Sequence, residues 1–240
     1  MVEGDFNNDG KPDFQLNNSC LGVSCMTVVL QSPVVTAPTV LSFGTTLIGV
    51  HSRIQTVTLT NAGLTAVSIT GVSITGGFSA DFSETNNCPS SLGSTLSCTI
   101  QVSFDPSTEN NFEFATLSIA DSGPGGGQQV PMSGLGTYIR LSPATLNFGS
   151  VAVGQSSTLV STMTNTKTSA ITVQRIYVKP SPEGRQFTET NNCGTSIAAG
   201  AQCQITVTFT PTSTGHKAAH IVEQLSGDAP PELTLSGTGT

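Results

Sequence analysis

The stretch "CTIQVSF", residues 98–104, decides the fold. Cys98, Ile100, Val102 and Phe104 alternate with Thr99, Gln101 and Ser103, so one side is apolar and the other is polar. Successive strand side chains point to opposite faces, and this alternation marks a strand buried on one side. The stretch returns as "CQITVTF" at 203–209, with Cys203, Ile205, Val207 and Phe209 set against Gln204, Thr206 and Thr208. Similar short runs at 55–60, 67–74, 114–120 and 128–135 are separated by Gly, Pro or Asn, without a convincing amphipathic helix pattern. About seven strands in about 100 residues predict a β-sandwich.

The repetition extends well beyond this strand. "LSFGTTLIGV" (41–50) returns as "LNFGSVAVGQ" (146–155), "TLTNAG" (58–63) as "TMTNTK" (162–167), and "SETNNC" (83–88) as "TETNNC" (188–193). "SGLGT" (133–137) returns as "SGTGT" (236–240), and the cysteines of the two copies lie 105 positions apart. A period near 100 means tandem domains, not a solenoid of short units. The expected organisation is an N-terminal segment at 1–35 and two sandwiches at 36–137 and 138–240, with no spare linker between them. Asn61 and Asn165 end strands on the inward parity, and each is expected to hydrogen-bond loop backbone.

Six cysteines divide into three close pairs, Cys20/Cys25, Cys88/Cys98 and Cys193/Cys203. Close, even-numbered spacing predicts disulfides and an oxidising compartment. Buried free thiols are the alternative; zinc is disfavoured because no pair has C-x-x-C spacing and no His adjoins one. Closing the ten-residue Cys88–Cys98 loop would stabilise by roughly 2.5–3 kcal/mol on the chain-entropy model. Only 10% of the 240 residues are charged, and the net charge is −7 without a basic run, which disfavours nucleic acid as a partner. No apolar stretch approaches the ~20 residues of a membrane helix. The expected location is therefore secreted, extracellular or on the cell surface; with no signal peptide before "MVEGDF", the start is read as processed or truncated.

Leu-x-Phe-Gly, Val-Gly, strand-Thr-Asn, Asp/Gln-Phe-Ser/Thr, the two cysteines, Cys-x-Ile-x-Val-x-Phe-x-Pro and the closing Ser-Gly-x-Gly together resemble the choice-of-anchor D family. That family belongs with the Hydin-like and major-sperm-protein-like immunoglobulin folds. The resemblance covers about 200 residues and occurs twice. It implies an immunoglobulin-like scaffold on bacterial secreted or surface proteins, known for architecture and interactions, with no common active site. The chain departs from the family in having no sorting or anchoring tail after "SGTGT".

"GDFNNDGKPD" (4–13) stands outside the repeat. Asp5, Asn7, Asp9, the Lys11 carbonyl and Asp13 offer oxygens to a hard Ca²⁺ ion, and Gly10 permits the bend that gathers them. An EF-hand would need a bidentate Glu where Leu16 stands, and no helix pattern flanks the loop. The stretch instead resembles the calcium loops of FG-GAP or VCBS repeats, in which the loop links two strands of a propeller blade. An Asp/Asn/Gly turn without metal is the alternative. The β-prone "VSCMTVVLQSPVV" has no obvious partner in the repeats, which suggests pairing with a neighbouring copy. Charge leans weakly the same way, with −3 on residues 1–35, −5 on 36–137 and +1 on 138–240. A heterologous contact between unlike ends propagates into a fibre if it does not close.

The catalytic inventory is poor. His51, His216 and His220 are read as ordinary exposed residues, because two strand positions four apart are separated by about 13 Å. Asp81 with Glu84, and Glu183 with Glu189, are read as solvated loop charge. No nucleophile elbow, P-loop or dinucleotide fingerprint occurs. Sugar binding is disfavoured by the absence of Trp and by having only Tyr138 and Tyr177 as Tyr residues. Asn17 heads an N-x-S sequon in an expected loop, and exposed Ser and Thr offer O-linked sites.

The sequence thus predicts an all-β protein of two tandem immunoglobulin-like β-sandwiches behind a short calcium-loop β segment. The expected role is non-catalytic, structural or adhesive, with other copies of the chain as head-to-tail partners and no membrane insertion. The alternative is a spacer or accessory region of a larger secreted propeller protein or enzyme.

Overall fold

A computed structural model describes residues 34–109, 112–123, 127–226 and 232–240, together with the backbone pairing of three strands before them. Those three, β1 (Val2–Gly4), β2 (Asp13–Cys20) and β3 (Val23–Val29), form one antiparallel sheet in the order β1-β2-β3. The chain divides into two compact units, one of residues 1–44, 51–105 and 113–134, the other of 45–50, 106–112 and 135–240.

The first repeat contributes β4 (Val34–Ala37), β5 (Leu41–Leu47), β6 (Gln55–Asn61), β7 (Val67–Thr75), β8 (Phe82–Asn86), β9 (Ser91–Leu92), β10 (Ser97–Phe104), β11 (Phe112–Asp121) and β12 (Gln128–Thr137). They make a four-stranded sheet, β4-β6-β10-β8, and a five-stranded sheet, β5-β12-β11-β7-β9. The second repeat supplies β13 (Ile139–Ser142), β14 (Thr145–Val151), β15 (Ser157–Asn165), β16 (Ile171–Val178), β17 (Phe187–Asn191), β18 (Ser196–Ile197), β19 (Gln202–Phe209), β20 (Gly215–Ser226) and β21 (Leu233–Gly239). Its sheets run β13-β15-β19-β17 and β14-β21-β20-β16-β18, the same order. Each repeat is therefore an immunoglobulin-like sandwich. Its nine strands exceed the seven expected because the first strand splits between the two sheets and a two-residue strand is added. The split falls at Pro38 in one copy and Pro143 in the other, and both prolines follow cis peptide bonds.

The alternation in "CTIQVSF" does what it predicts: Cys98, Ile100, Val102 and Phe104 are buried against Val57 and Leu59 of β6 and against Leu117, Ile119 and Val130 of the facing sheet. Each core is anchored by three phenylalanines drawn from three repeated motifs. Phe43, Phe82 and Phe104 have ring centroids 4.8–6.0 Å apart, and Phe148, Phe187 and Phe209 have theirs 4.7–5.8 Å apart. Rings at such separations add about 0.5–1.5 kcal/mol per pair beyond their burial.

The glycines of the motifs answer to this packing. A Cβ on Gly134 would lie 2.4 Å from the Phe104 ring, and one on Gly237 would lie 2.6 Å from Phe209. Two residues on, a Cβ on Gly136 or Gly239 would meet the Thr108 or Ser213 carbonyl oxygen at 2.1 or 2.2 Å. Ser-Gly-x-Gly is thus a close-approach motif. Gly149 of Leu-x-Phe-Gly has φ +64°, where the parallel pairing of β14 with β21 shifts register, and its N–H donates to Asn147 Oδ1 at 3.0 Å.

Candidate functional site

The repeated polar residues point inward at loops. Asn61 is fully buried; its Nδ2 donates to the Thr65 and Leu92 carbonyls at 2.8 and 2.9 Å, and its Oδ1 accepts from Gly63 N–H at 3.0 Å. Asn165, equally buried, donates to Ser169, Ile197 and Ala198 carbonyls and accepts from Lys167 N–H. The side-chain amide thus carries loop backbone groups that have no strand partner, as expected of a buried Asn at a strand end.

The Glu-Thr-Asn-Asn-Cys corner is built the same way. Asn86 Nδ2 donates to Glu84 Oε2 at 3.1 Å, Asn86 Oδ1 accepts from Cys88 N–H at 3.1 Å, and Asn87 Oδ1 accepts from Thr99 N–H at 2.7 Å. Glu189, Asn191, Cys193, Asn192 and Gln204 repeat these contacts at 3.2, 3.2 and 2.6 Å. The corner delivers Cys88 to Cys98 and Cys193 to Cys203, and both pairs are disulfides. Cys20 and Cys25 lie on β2 and β3, where their backbones pair with Val23 and Asn18; their side chains fall outside the described residues, and so does their proposed bond.

Of the predicted calcium ligands, Asp5, Asn7, Asp9 and Lys11 lie outside the described residues. Asp13 opens β2, and its backbone pairs with Gly4 at the end of β1. The loop is therefore flanked by two antiparallel neighbours. Asn17 corrects the reading of a loop: it lies within β2, opposite Met26. Its polar surroundings suggested a turn, but pairing with the β-prone run of β3 carries the strand through. Of that run, Val23–Val29 pairs with β2 of the same chain, and Val34 and Val35 open β4, which pairs with β6 of the first sandwich.

The histidines are dispersed. His51 is exposed and pairs through Nδ1 with Asp105 Oδ1. His216 is exposed on β20, whereas His220 is half-buried with Nδ1 3.2 Å from Glu232 Oε1. Among the described residues no group of three His, Cys, Asp or Glu side chains is placed to hold a metal ion. Asp81 departs from expectation: it is only 7% exposed, on the 3₁₀ turn Ser79–Asp81, and its carbonyl accepts from Asp105 N–H. The turn tucks the residue beneath the entry to β8. Glu84 and Glu189 lie on strands β8 and β17, not in loops.

Two features escaped sequence reading. Glu223, 5% exposed, occupies an inward position of β20; burial, with the nearby Glu232 adding to it, pushes its carboxyl up to about 8. Comparing the repeats signals it, since Ile119 stands at the matching place on β11. The second feature is a cleft of about 430 Å³ between β16 and β17, within "VKPSPEGRQF" (178–187). Val178, Lys179, Pro180, Pro182, Arg185 and Phe187 line it. Gly184 closes the turn by donating its N–H to Ser181 Oγ at 2.8 Å, and a Cβ there would meet the Lys179 carbonyl oxygen at 2.7 Å.

Residues 137–240 match the model of the HYDIN/CFA65/VesB-like, Ig-like domain. No curated protein matches the chain. Among solved structures, a protein of unknown function from Porphyromonas gingivalis W83 is 13% identical, with TM-score 0.36 over 86% of this chain and 99% of its own. The secreted serine protease VesC from Vibrio cholerae is 14% identical, with TM-score 0.34 over 79% of this chain and 49% of its own. The PapD-like domain 7 of human CEP192 is 17% identical, with TM-score 0.33 over 43% of this chain and 86% of its own. At TM-scores of this size the likenesses bear no functional weight. Residues 137–240 are thus similar to the HYDIN/CFA65/VesB-like, Ig-like domain, over less than half of the chain.

Proposed function

We propose that the protein is a non-catalytic extracellular structural or adhesive module, in which two disulfide-bonded sandwiches follow a calcium-stabilised N-terminal segment. The observation that carries this reading is where the shared motifs go. Asn61 and Asn165, the Asn-Asn-Cys corners, the phenylalanine trios and the Ser-Gly-x-Gly endings all serve packing or backbone, and in both copies alike. A motif set kept for catalysis would leave reactive groups facing a common space.

In this reading residues 1–35 bind Ca²⁺ through Asp5, Asn7, Asp9, Lys11 and Asp13. They also join neighbouring copies head-to-tail into a fibre or surface array. Covalent glycans on Asn17 or on exposed Ser and Thr belong to the same extracellular setting. The test is electron microscopy with light scattering of the intact chain, with and without chelator. Calcium-dependent polymers are expected; a monomer at high concentration in calcium, with residues 1–35 resistant to protease, overturns the assembly. The second reading, a spacer or accessory region of a larger secreted protein, is favoured by the VesB-like family match of residues 137–240. Further D-x-N-x-D-G loops in the natural protein upstream of Met1 would favour it over the first.

A further inference from the structure

The geometry points to the cleft between β16 and β17 as a binding site for an acidic sugar, a pyranose carrying a carboxylate. Lys179 and Arg185 line the cleft with exposed side chains, and neither belongs to an ion pair among the described residues. Lys179 is fixed at its backbone, where its N–H donates to the His220 carbonyl at 2.8 Å. Glu183 is exposed on the same loop but is not among the residues lining the cleft. Two cations outside any described ion pair, beside one concavity, favour an anion there. A guanidinium fork matches a carboxylate bidentately, while an ammonium adds a point charge.

The remaining walls ask for more than a bare ion. Val178, Pro180 and Pro182 are apolar surfaces that an inorganic anion would leave unused. On β16, Ile176 is buried, so strand alternation puts Arg175 and Tyr177 on the opposite side, and the Arg175 guanidinium lies 4.3 Å from the centroid of the Tyr177 ring. This outward strip continues in the parity of Lys179 toward the cleft. A pyranose has apolar C–H faces and equatorial hydroxyls, so it suits the Pro180 and Pro182 surface, and its carboxylate suits Arg185 and Lys179. The corresponding stretch of the first sandwich, "ITGGFSADF" (74–82), contains no cation at all. The site is therefore particular to the second copy, and it stands whether or not the chain polymerises.

The test is NMR titration of the intact chain with methyl glucuronide, methyl glucoside and acetate. The uronide is expected to give saturable shifts at Val178, Lys179, Ser181 and Arg185. The neutral glucoside should give none, and acetate should bind at least about tenfold more weakly. Lys179→Ala and Arg185→Ala should each weaken the uronide about tenfold, and added salt should weaken it further. Both side chains are exposed, so unchanged resonances elsewhere will certify the fold of each variant. The proposal is overturned if the uronide produces no shift, if its shifts survive the double substitution, or if glucoside or acetate binds as well.

Discussion

Where the first sandwich buries Ile119, the second buries Glu223 at the matching point of the matching strand. Where the first turns from β7 to β8 through "GGFSAD", the second turns from β16 to β17 through "KPSPEGRQ". In the motifs they share, the copies agree closely, down to the lengths of their amide hydrogen bonds. Residues on which the sandwich depends for packing or for satisfying backbone recur in both copies. Residues on which it does not depend have diverged, so the divergent places are where a copy-specific property is to be sought.

The comparison can be broken first at the phenylalanine trio. Phe104→Ala and Phe209→Ala should each cost about 3–5 kcal/mol, read by denaturant unfolding with residue-resolved hydrogen exchange. A small effect in one copy would end the claim that the cores are equivalent. Next come Asn61→Ala and Asn165→Ala, which strand two or more buried carbonyls and should cost about 2–4 kcal/mol each by the same measurement. Replacing both cysteines by Ser in either corner should remove roughly 2.8 kcal/mol through the ten-residue loop it opens. The two losses should add if the units are independent.

The pH-dependent effect is the one that separates the copies. Glu223 is raised from 4.5 to about 8, so the folded chain keeps a proton that the unfolded chain has already released between those values. Its contribution is present in full below about pH 4.5 and is lost as pH rises through 8, by an amount on the order of 5 kcal/mol. Glu223→Gln should flatten that slope, and Glu223→Ile, the first copy's residue, should make the second unit more stable at pH 9. Equal pH profiles for wild type and Glu223→Gln would remove the distinction.

Much of this fold is written at period two. The alternation of "CTIQVSF" and its copy fixed which faces are buried, and the repeat fixed how many sandwiches there are. The strand-end Asn could be read because an amide on the inward parity has few other uses. Glu223 was harder: in a single strand, "HIVEQLS" looks like an ordinary alternation with the glutamate misplaced, and only alignment with "TLSIADS" puts it opposite a core isoleucine. Asp81 was misread because its burial comes from a 3₁₀ turn, which has no periodic signature. The cleft depends on how eight loop residues fold back between two strands. Lys179 and Arg185 are six positions apart, and no local pattern announces that they line one concavity.

The parallel pairing of β14 with β21 has a mechanical consequence. These strands lie near the entry and exit of the second sandwich and run side by side in the same direction. Tension applied through residues 145 and 240 pulls them in opposite senses along their common axis, so their hydrogen bonds share the load together. An antiparallel terminal pair pulled from one end would instead open bond by bond, like a zipper. The second sandwich is thus wired to withstand stretching, with its greatest resistance along the line between its own ends.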